Sequence, residues 1–357
     1  MKLYKKIMPA ILILLFSGTV FTKEPVKDET IIFPPTYGWI NNGEINVYIH
    51  AWVFKMKEDS ILRNSLIKFL SKFFDVDKID NKKLFEDRLR YFLADNKGKR
   101  EITVDIMGEK YTLPKTASNG HCNTIIKFRN NSKSDLIDKR VNFSTLPSES
   151  ENPVFSGSFQ IIGEKGYSII SDIDDTIKIS NVLNRNELMR NTFTKKFEPV
   201  DGMSKLYKIF EKKECSFHYV SGSPWQLYSP INNFIIDEQF PIGTVDLKYF
   251  RIKDKSLIEF IFADQLTYKL NTIKTMLDRF PGRQFILIGD SGEKDPEVYS
   301  ELANQYKDRI KYIFIRDVGL IDENSQRRKD VILKSGNVKM IIFKEAKELE
   351  PYASGLK

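Results

Sequence analysis

From Tyr167 onward, short apolar runs alternate with amphipathic stretches, and the runs end in polar motifs. "YSIIS" leads into "DIDDT", "CSFHYV" into "SGSP", and "QFILI" into "GDSGEKD"; "KYIFIRD" repeats the pattern. Apolar runs this short read as buried strands. Between them, "DGMSKLYKIFEKKE" carries a helical stripe of Met203, Leu206, Tyr207 and Phe210. "DQLTYKLNTIKTMLDRFPG" carries Leu266, Leu270, Ile273 and Leu277 on one face and is closed by Pro281-Gly282. Strands alternating with helices restrict this half to βαβ units and a parallel sheet. In such sheets ligands bind outside the carboxyl ends of the strands, so Asp172, Ser221 and Asp290 are expected on one rim.

The first of those ends crowds three carboxylates, Asp172, Asp174 and Asp175, behind a buried strand. Such groups repel one another and resist burial unless a positive charge sits between them. Side by side, the strands let Asp172, Asp174 and Asp290 share a divalent cation. No His or Cys stands at a ligand spacing, which favours a hard ion such as Mg²⁺ held by oxygen. Taken alone, "DIDDT" reads equally well as a charged turn or a helix N-cap. The later strand ends, "SGSP" and "GDSGEKD", weaken that reading.

The preceding half, from about Thr30 to Lys165, is mostly β in pattern. "GEINVYIHAWVFK" alternates, "EITVDIMGEKYTL" predicts a hairpin turning near Gly108, and "CNTIIKF" predicts another strand. "SILRNSLIKFLSKFF" has helical spacing. His50 and His121 stand alone in sequence and read as structural or surface residues, because metal ligands come in clusters. "NNSKSD" and "PSESENP" read as polar loops, the latter a linker. Three segments are expected: a signal peptide at 1–22, a β-rich accessory domain at 23–163 and a catalytic domain at 164–357.

Lys2, Lys5 and Lys6 precede an apolar run from Ile7 to Phe21, the pattern of a secretory signal. That run is shorter than the roughly 20 residues of a membrane span. An exported, periplasmic or secreted protein is expected, with an uncleaved membrane anchor as the alternative. Cys122 and Cys215 fall in different segments and read as free thiols. Of the 357 residues 41% are hydrophobic and 29% charged, which excludes a disordered chain. The net charge of +8 is scattered. No basic stretch carries interleaved aromatics, so a nucleic-acid partner is not expected.

"DIDDT" fits the first motif of the haloacid dehalogenase (HAD) superfamily of phosphotransferases. "SDIDDTIK", "SGSPWQLY", "FPIGTVDLKYF" and "LIGDSGEKDPEVY" together resemble the actin-patch-type phosphatidate phosphatase catalytic domain, over about Gly166 to Gly319. The resemblance implies a HAD-like Rossmannoid parallel sheet with helices on both faces, preceded here by a smaller, sandwich-like β-rich domain. It implies a Mg²⁺-dependent phosphomonoester phosphatase working through an aspartyl-phosphate, with phosphatidate as the narrower substrate. Asp172 is then the nucleophile and Asp174 the general acid–base, its backbone carbonyl also facing the metal. Ser221 and Lys269 hold the phosphoryl oxygens together with Thr176 and Gly222, Thr176 also fixing the loop. Asp290 binds the cation and Asp295 ligates it or orients a ligand. Asp175 is structural or tunes the site. Two positions depart from relatives, Tyr268 where His is frequent and Gly222 where Asn is frequent. The segment from Ile177 to Val200 reads as a lip beside the pocket, a membrane-surface contact or an ordinary packed helix. Trp225 and Tyr228 read as neighbours of the site or as core. The partner implied is a phosphorylated substrate such as a phospholipid, with peripheral membrane contact. A secreted binding or adhesion protein on a HAD-like scaffold is the alternative function, and a phosphotransferase or phosphonate hydrolase the alternative chemistry.

Overall fold

The computed structural model describes residues 25, 28–41, 43–56, 60–70, 79, 81–129, 134–146, 153–250 and 266–356. The apolar run expected to be a signal and most of the expected linker, residues 147–152, lie outside them. Two sheets organise the rest.

The N-terminal sheet contains β1 (Thr30–Ile32), β2 (Thr36–Asn41), β3 (Glu44–Lys55), β4 (Asp95–Asn96), β5 (Thr103–Ile106), β6 (Glu109–Thr112), β7 (His121–Arg129), β8 (Arg140–Thr145) and β9 (Ser156–Ile162). Its spine is the long β3, which pairs β2 and β1 on one edge and β7 and β4 on the other. The hairpin expected at Gly108 joins β5 to β6, with Met107 and Gly108 at φ 56° and 85°. Two positive φ values suit the right-handed twist of the paired strands. Inward residues of these strands, among them Val47, Ile49, Val104, Phe143 and Phe159, form a core of their own. Two helices follow β3, α1 (Ser60–Leu70) and α2 (Lys82–Phe92).

The second sheet is parallel throughout, with β10 (Tyr167–Ser171), β11 (Ser216–Pro224), β12 (Thr244–Lys248), β13 (Gln284–Asp290), β14 (Ile310–Arg316) and β15 (Lys339–Phe343). Its order is β12-β11-β10-β13-β14-β15. Successive side chains of a strand face opposite ways, so Ile169 enters one apolar cluster and Ile170 the other. The first cluster is closed by α3 (Arg185–Phe193), α4 (Met203–Glu211), α5 (Tyr228–Asp237) and α9 (Glu350–Ser354). The second is closed by α6 (Leu266–Arg279), α7 (Asp295–Gln305) and α8 (Gln326–Ser335). All four stripe residues predicted for α4 are buried.

For α6 the predicted stripe is turned. Its buried residues are Lys269, Ile273, Met276 and Leu277, while Leu266 and Leu270 are half-buried. Three carboxylates draw Lys269 inward and set the rotation.

The two halves share their cores. Leu66, Leu70, Phe85, Leu89 and Phe92 join the cluster of α3 to α5, and Tyr37 and Trp39 join that of α6. Where β9 passes into β10, Arg283 donates to the carbonyls of Gly163 and Tyr167 at 2.9 and 2.5 Å.

Candidate active site

The chain leaves β10 for β11 on one side and β13 on the other, so the order reverses at β10. A crevice opens at such a switch point, at the carboxyl ends of the strands. Asp172, Ser221 and Asp290 all stand there, and all are buried.

Asp172 follows β10 directly, and its backbone N–H donates to the Ile288 carbonyl at 2.9 Å. One carboxylate oxygen accepts from Lys269 Nζ at 2.8 Å; the other, Oδ2, is buried without a partner. Asp290 repeats this: Oδ1 accepts from the N–H groups of Gly292 and Glu293 at 2.6 and 3.2 Å, while Oδ2 has no partner. Asp295 opens α7, where the helix dipole favours negative charge. Its Oδ2 accepts from the Asp290 N–H at 3.2 Å and its Oδ1 from Lys269 at 2.6 Å. Gly289 makes this possible, since a Cβ there would lie 2.4 Å from Asp295 Oδ2.

Asp172, Asp290 and Asp295 each offer an oxygen within 4.8 Å of the others. Burial pushes the carboxyls of Asp172 and Asp290 up, and the neighbouring acids push the same way. Burial alone would lower Lys269; Asp172, Asp295 and Glu293 outweigh it and raise it. Three acids thus contact one ammonium, and Asp290 adds a fourth carboxyl beside them. That negative excess and the two orphaned carboxylate oxygens fit a hard divalent cation.

Asp174 is bound differently. Oδ1 accepts from Lys178 Nζ at 2.7 Å and Ser180 Oγ at 2.6 Å; Oδ2 accepts from Ser221 Oγ at 3.1 Å and Ser223 Oγ at 2.8 Å. Burial pushes its carboxyl up, but Lys178 and the hydroxyl donors prevail and hold it below the usual carboxylate range. In this arrangement Asp174 rests as a carboxylate, ready to accept a proton. To act as an acid it must first receive one.

Thr176 is buried with its hydroxyl unpartnered, so it does not fix the loop by a hydrogen bond. Asp175 does that, at φ 52°: its carboxylate accepts from the N–H groups of Ser180, Asn181 and Val182 at 2.8, 2.9 and 2.6 Å. Arg316 donates to its carbonyl at 2.7 Å. Gly222 lines the pocket beside Asp174, and Val182, Leu188 and Phe193 form a lip there.

Sequence reasoning missed Lys178, Ser223, Glu293 and Arg327. Glu293 accepts from Lys269 at 2.9 Å, and burial raises its carboxyl. Arg327 of α8 donates to the carbonyls of Ser291 and Glu293, each at 2.5 Å, and forks onto Glu297 at 2.8 Å per arm. Lys178, Ser223 and Glu293 lie inside the quoted motifs, where their types were a usable signal; Arg327 carries none. His50 and His121 are not isolated: their rings stand 2.9 Å apart at Nε2 and Nδ1, and burial pushes both toward the neutral form. Trp225 packs its ring on His50, at 4.5 Å between centroids, as part of the junction between halves. Tyr228 is buried core, and both cysteines are free and buried.

Residues 167–317 match the family model described as phosphatidate phosphatase APP1, catalytic domain. An uncharacterized protein of Schizosaccharomyces pombe is 32% identical over 180 residues, 48% of this chain and 29% of that one. The phosphatidate phosphatase APP1 of Saccharomyces cerevisiae is 29% identical over 250 residues, 67% of this chain and 41% of that one. The chain therefore spans less than half the length of either relative. A class C acid phosphatase from Bacillus anthracis with tungstate bound aligns at 15% identity over 54% of this chain and 74% of that one, with a TM-score of 0.29. By sequence, residues 167–317 are similar to the catalytic domain of APP1-type phosphatidate phosphatases.

Proposed function

We propose that the chain is a Mg²⁺-dependent phosphomonoester phosphatase that works through an aspartyl-phosphate on Asp172, with phosphatidate as its substrate. The observation that carries this is Asp172 itself. It is buried at the switch point, anchored through one oxygen by Lys269 and left with the other oxygen unpartnered. The family of residues 167–317 supports the same chemistry, and the apolar lip beside Asp174 suits a lipid alcohol.

A carboxylate oxygen of Asp172 attacks phosphorus, and the bond from phosphorus to the alcohol oxygen breaks. Lys178 passes a proton to Asp174, which delivers it to the leaving alkoxide and leaves Lys178 neutral. Water then attacks the phosphoryl group and gives a proton to Asp174, which returns it to Lys178; phosphate departs and the Asp172 carboxylate is restored. Splitting the hydrolysis in this way replaces one hard step by two easier ones. Lys269 and Ser221 stand where they offset phosphoryl charge. Asp172, Asp290 and Asp295, with the Asp174 carbonyl, are the groups that would hold Mg²⁺, which when bound neutralises carboxylate and phosphoryl charge together.

Asp172→Asn is nearly isosteric and should abolish turnover on every phosphomonoester, with no phosphate retained on the quenched protein. Chelation should abolish activity and Mg²⁺ restore it. Phosphate found on another residue by mass spectrometry, or full activity after exhaustive chelation, overturns the mechanism. The Lys-rich start and apolar run add the expectation of export, which N-terminal sequencing of the native protein checks; an intact Met1 in a cytoplasmic fraction overturns it.

A further inference from the structure

The pocket beside Asp174 is walled partly by the N-terminal half. Its volume is about 40 Å³, room for about three water-sized groups, which suits the first carbons of an alcohol. Asp174, Glu293, Thr192 and Ser223 are its polar side. Opposite lies an apolar arc of Phe92, Val182, Leu188, Phe193 and Leu227. Four of these belong to the parallel-sheet half. Phe92 is the last residue of α2, about a hundred residues earlier in the chain.

The placement of Phe92 is built. Arg88, one turn before it, is 4% exposed and donates to the carbonyls of Thr192 and Lys195, each at 2.7 Å, and of Asn191 at 3.4 Å. Its guanidinium lies 3.8 Å above the Phe197 ring. Those carbonyls end α3 and the turn after it, where cations are favoured. Phe92 itself packs on Phe193 at 5.4 Å and Phe250 at 6.3 Å between centroids.

We propose that α2 completes the active-site pocket, with Arg88 as its clasp and Phe92 as a specificity residue that receives the first carbons of an apolar alcohol esterified to the phosphate. This rests on the phosphatase reading and goes beyond it, because it assigns substrate choice to a residue of the N-terminal half. Val182 and Leu188 are half-buried at the mouth, so a longer chain leaves the pocket across them.

The test uses the full chain and methyl-, ethyl-, propyl- and butylphosphonate as probes, with affinities measured by calorimetry in Mg²⁺. Each methylene that becomes buried should tighten binding about threefold to fourfold in the wild type. In Phe92→Ala the gain per methylene should fall to about twofold or less, while methylphosphonate binding changes by less than about twofold. Phe92→Leu should restore most of the gain. Arg88→Met should flatten the series as Phe92→Ala does. In parallel, kcat/KM on a short-chain phosphatidate should fall about tenfold or more in Phe92→Ala, and that on glycerol 3-phosphate should hold within about twofold. A wild type that binds butylphosphonate no better than methylphosphonate overturns the proposal, as does a Phe92→Ala loss equal across the series. In both cases phosphatase activity survives. Failure of the wild type to hydrolyse either phosphate ester overturns the phosphatase reading and this inference with it.

Discussion

Lys178 shows how much of the chemistry hangs on a residue outside the expected set. Its ammonium is 2.7 Å from Asp174, and both side chains are nearly inaccessible. Asp174 is held below its ordinary value, so the stability it contributes is complete above about pH 4 and drains as the pH falls further. Lys178→Met leaves a buried carboxylate alone, a loss of about 3–5 kcal/mol. Urea unfolding should show that deficit in full at pH 7 and a smaller one at pH 3, where the lone Asp174 is neutral. Equal deficits at the two pH values would assign Lys178 to packing alone. Asp174→Asn should lower single-turnover release of an alkyl alcohol by about 10²- to 10⁴-fold. The loss should be smaller for an aryl phosphate, whose leaving group needs little protonation; equal losses would remove Asp174 from the acid's role.

At the scale of elements, the strands were legible because each buried run ends at a polar motif, and those motifs meet at the rim. The face of α6 was not legible, since periodicity assigns lysine to solvent and Lys269 is 1% exposed. Only the carboxylates of distant segments explain its burial. The part played by α2 was equally hidden: Arg88 reaches Thr192 across 104 residues, and no local pattern announces that contact. The turn between β13 and α7 is governed by space. A Cβ at Gly289 would sit 2.6 Å from that of Asp295. Gly289→Ala should therefore displace the first turn of α7 and cost about 1–3 kcal/mol by overpacking. Activity should fall with it, because Asp295 is one of the three carboxylates on Lys269. Unchanged kcat in a folded Gly289→Ala protein would show that Asp295 has freedom the packing denies it.

At the scale of the whole molecule, the two sheets are less separate than the chain's change of pattern suggests. Phe85, Leu89 and Phe92 share the apolar cluster of α3 to α5, and Tyr37 and Trp39 that of α6. Removing the N-terminal half would expose those apolar faces at both sides of the parallel sheet. The described chain should thus unfold in one cooperative transition, with calorimetric and van't Hoff enthalpies in agreement. Two resolved transitions would mean the shared clusters add little coupling.

The clasp on Lys269 also has a kinetic consequence. Its bond to Asp172 closes a loop of 97 residues, whereas its bonds to Glu293 and Asp295 span only 24 and 26. Loop closure is an entropic cost that must be met before a distant contact stabilises anything. During refolding, α6 and α7 should find each other early and hold the lysine among acids, while Asp172 arrives late. Helical circular dichroism should therefore recover before catalytic competence does, and the interval between them measures the time the chain takes to bring β10 between its neighbours.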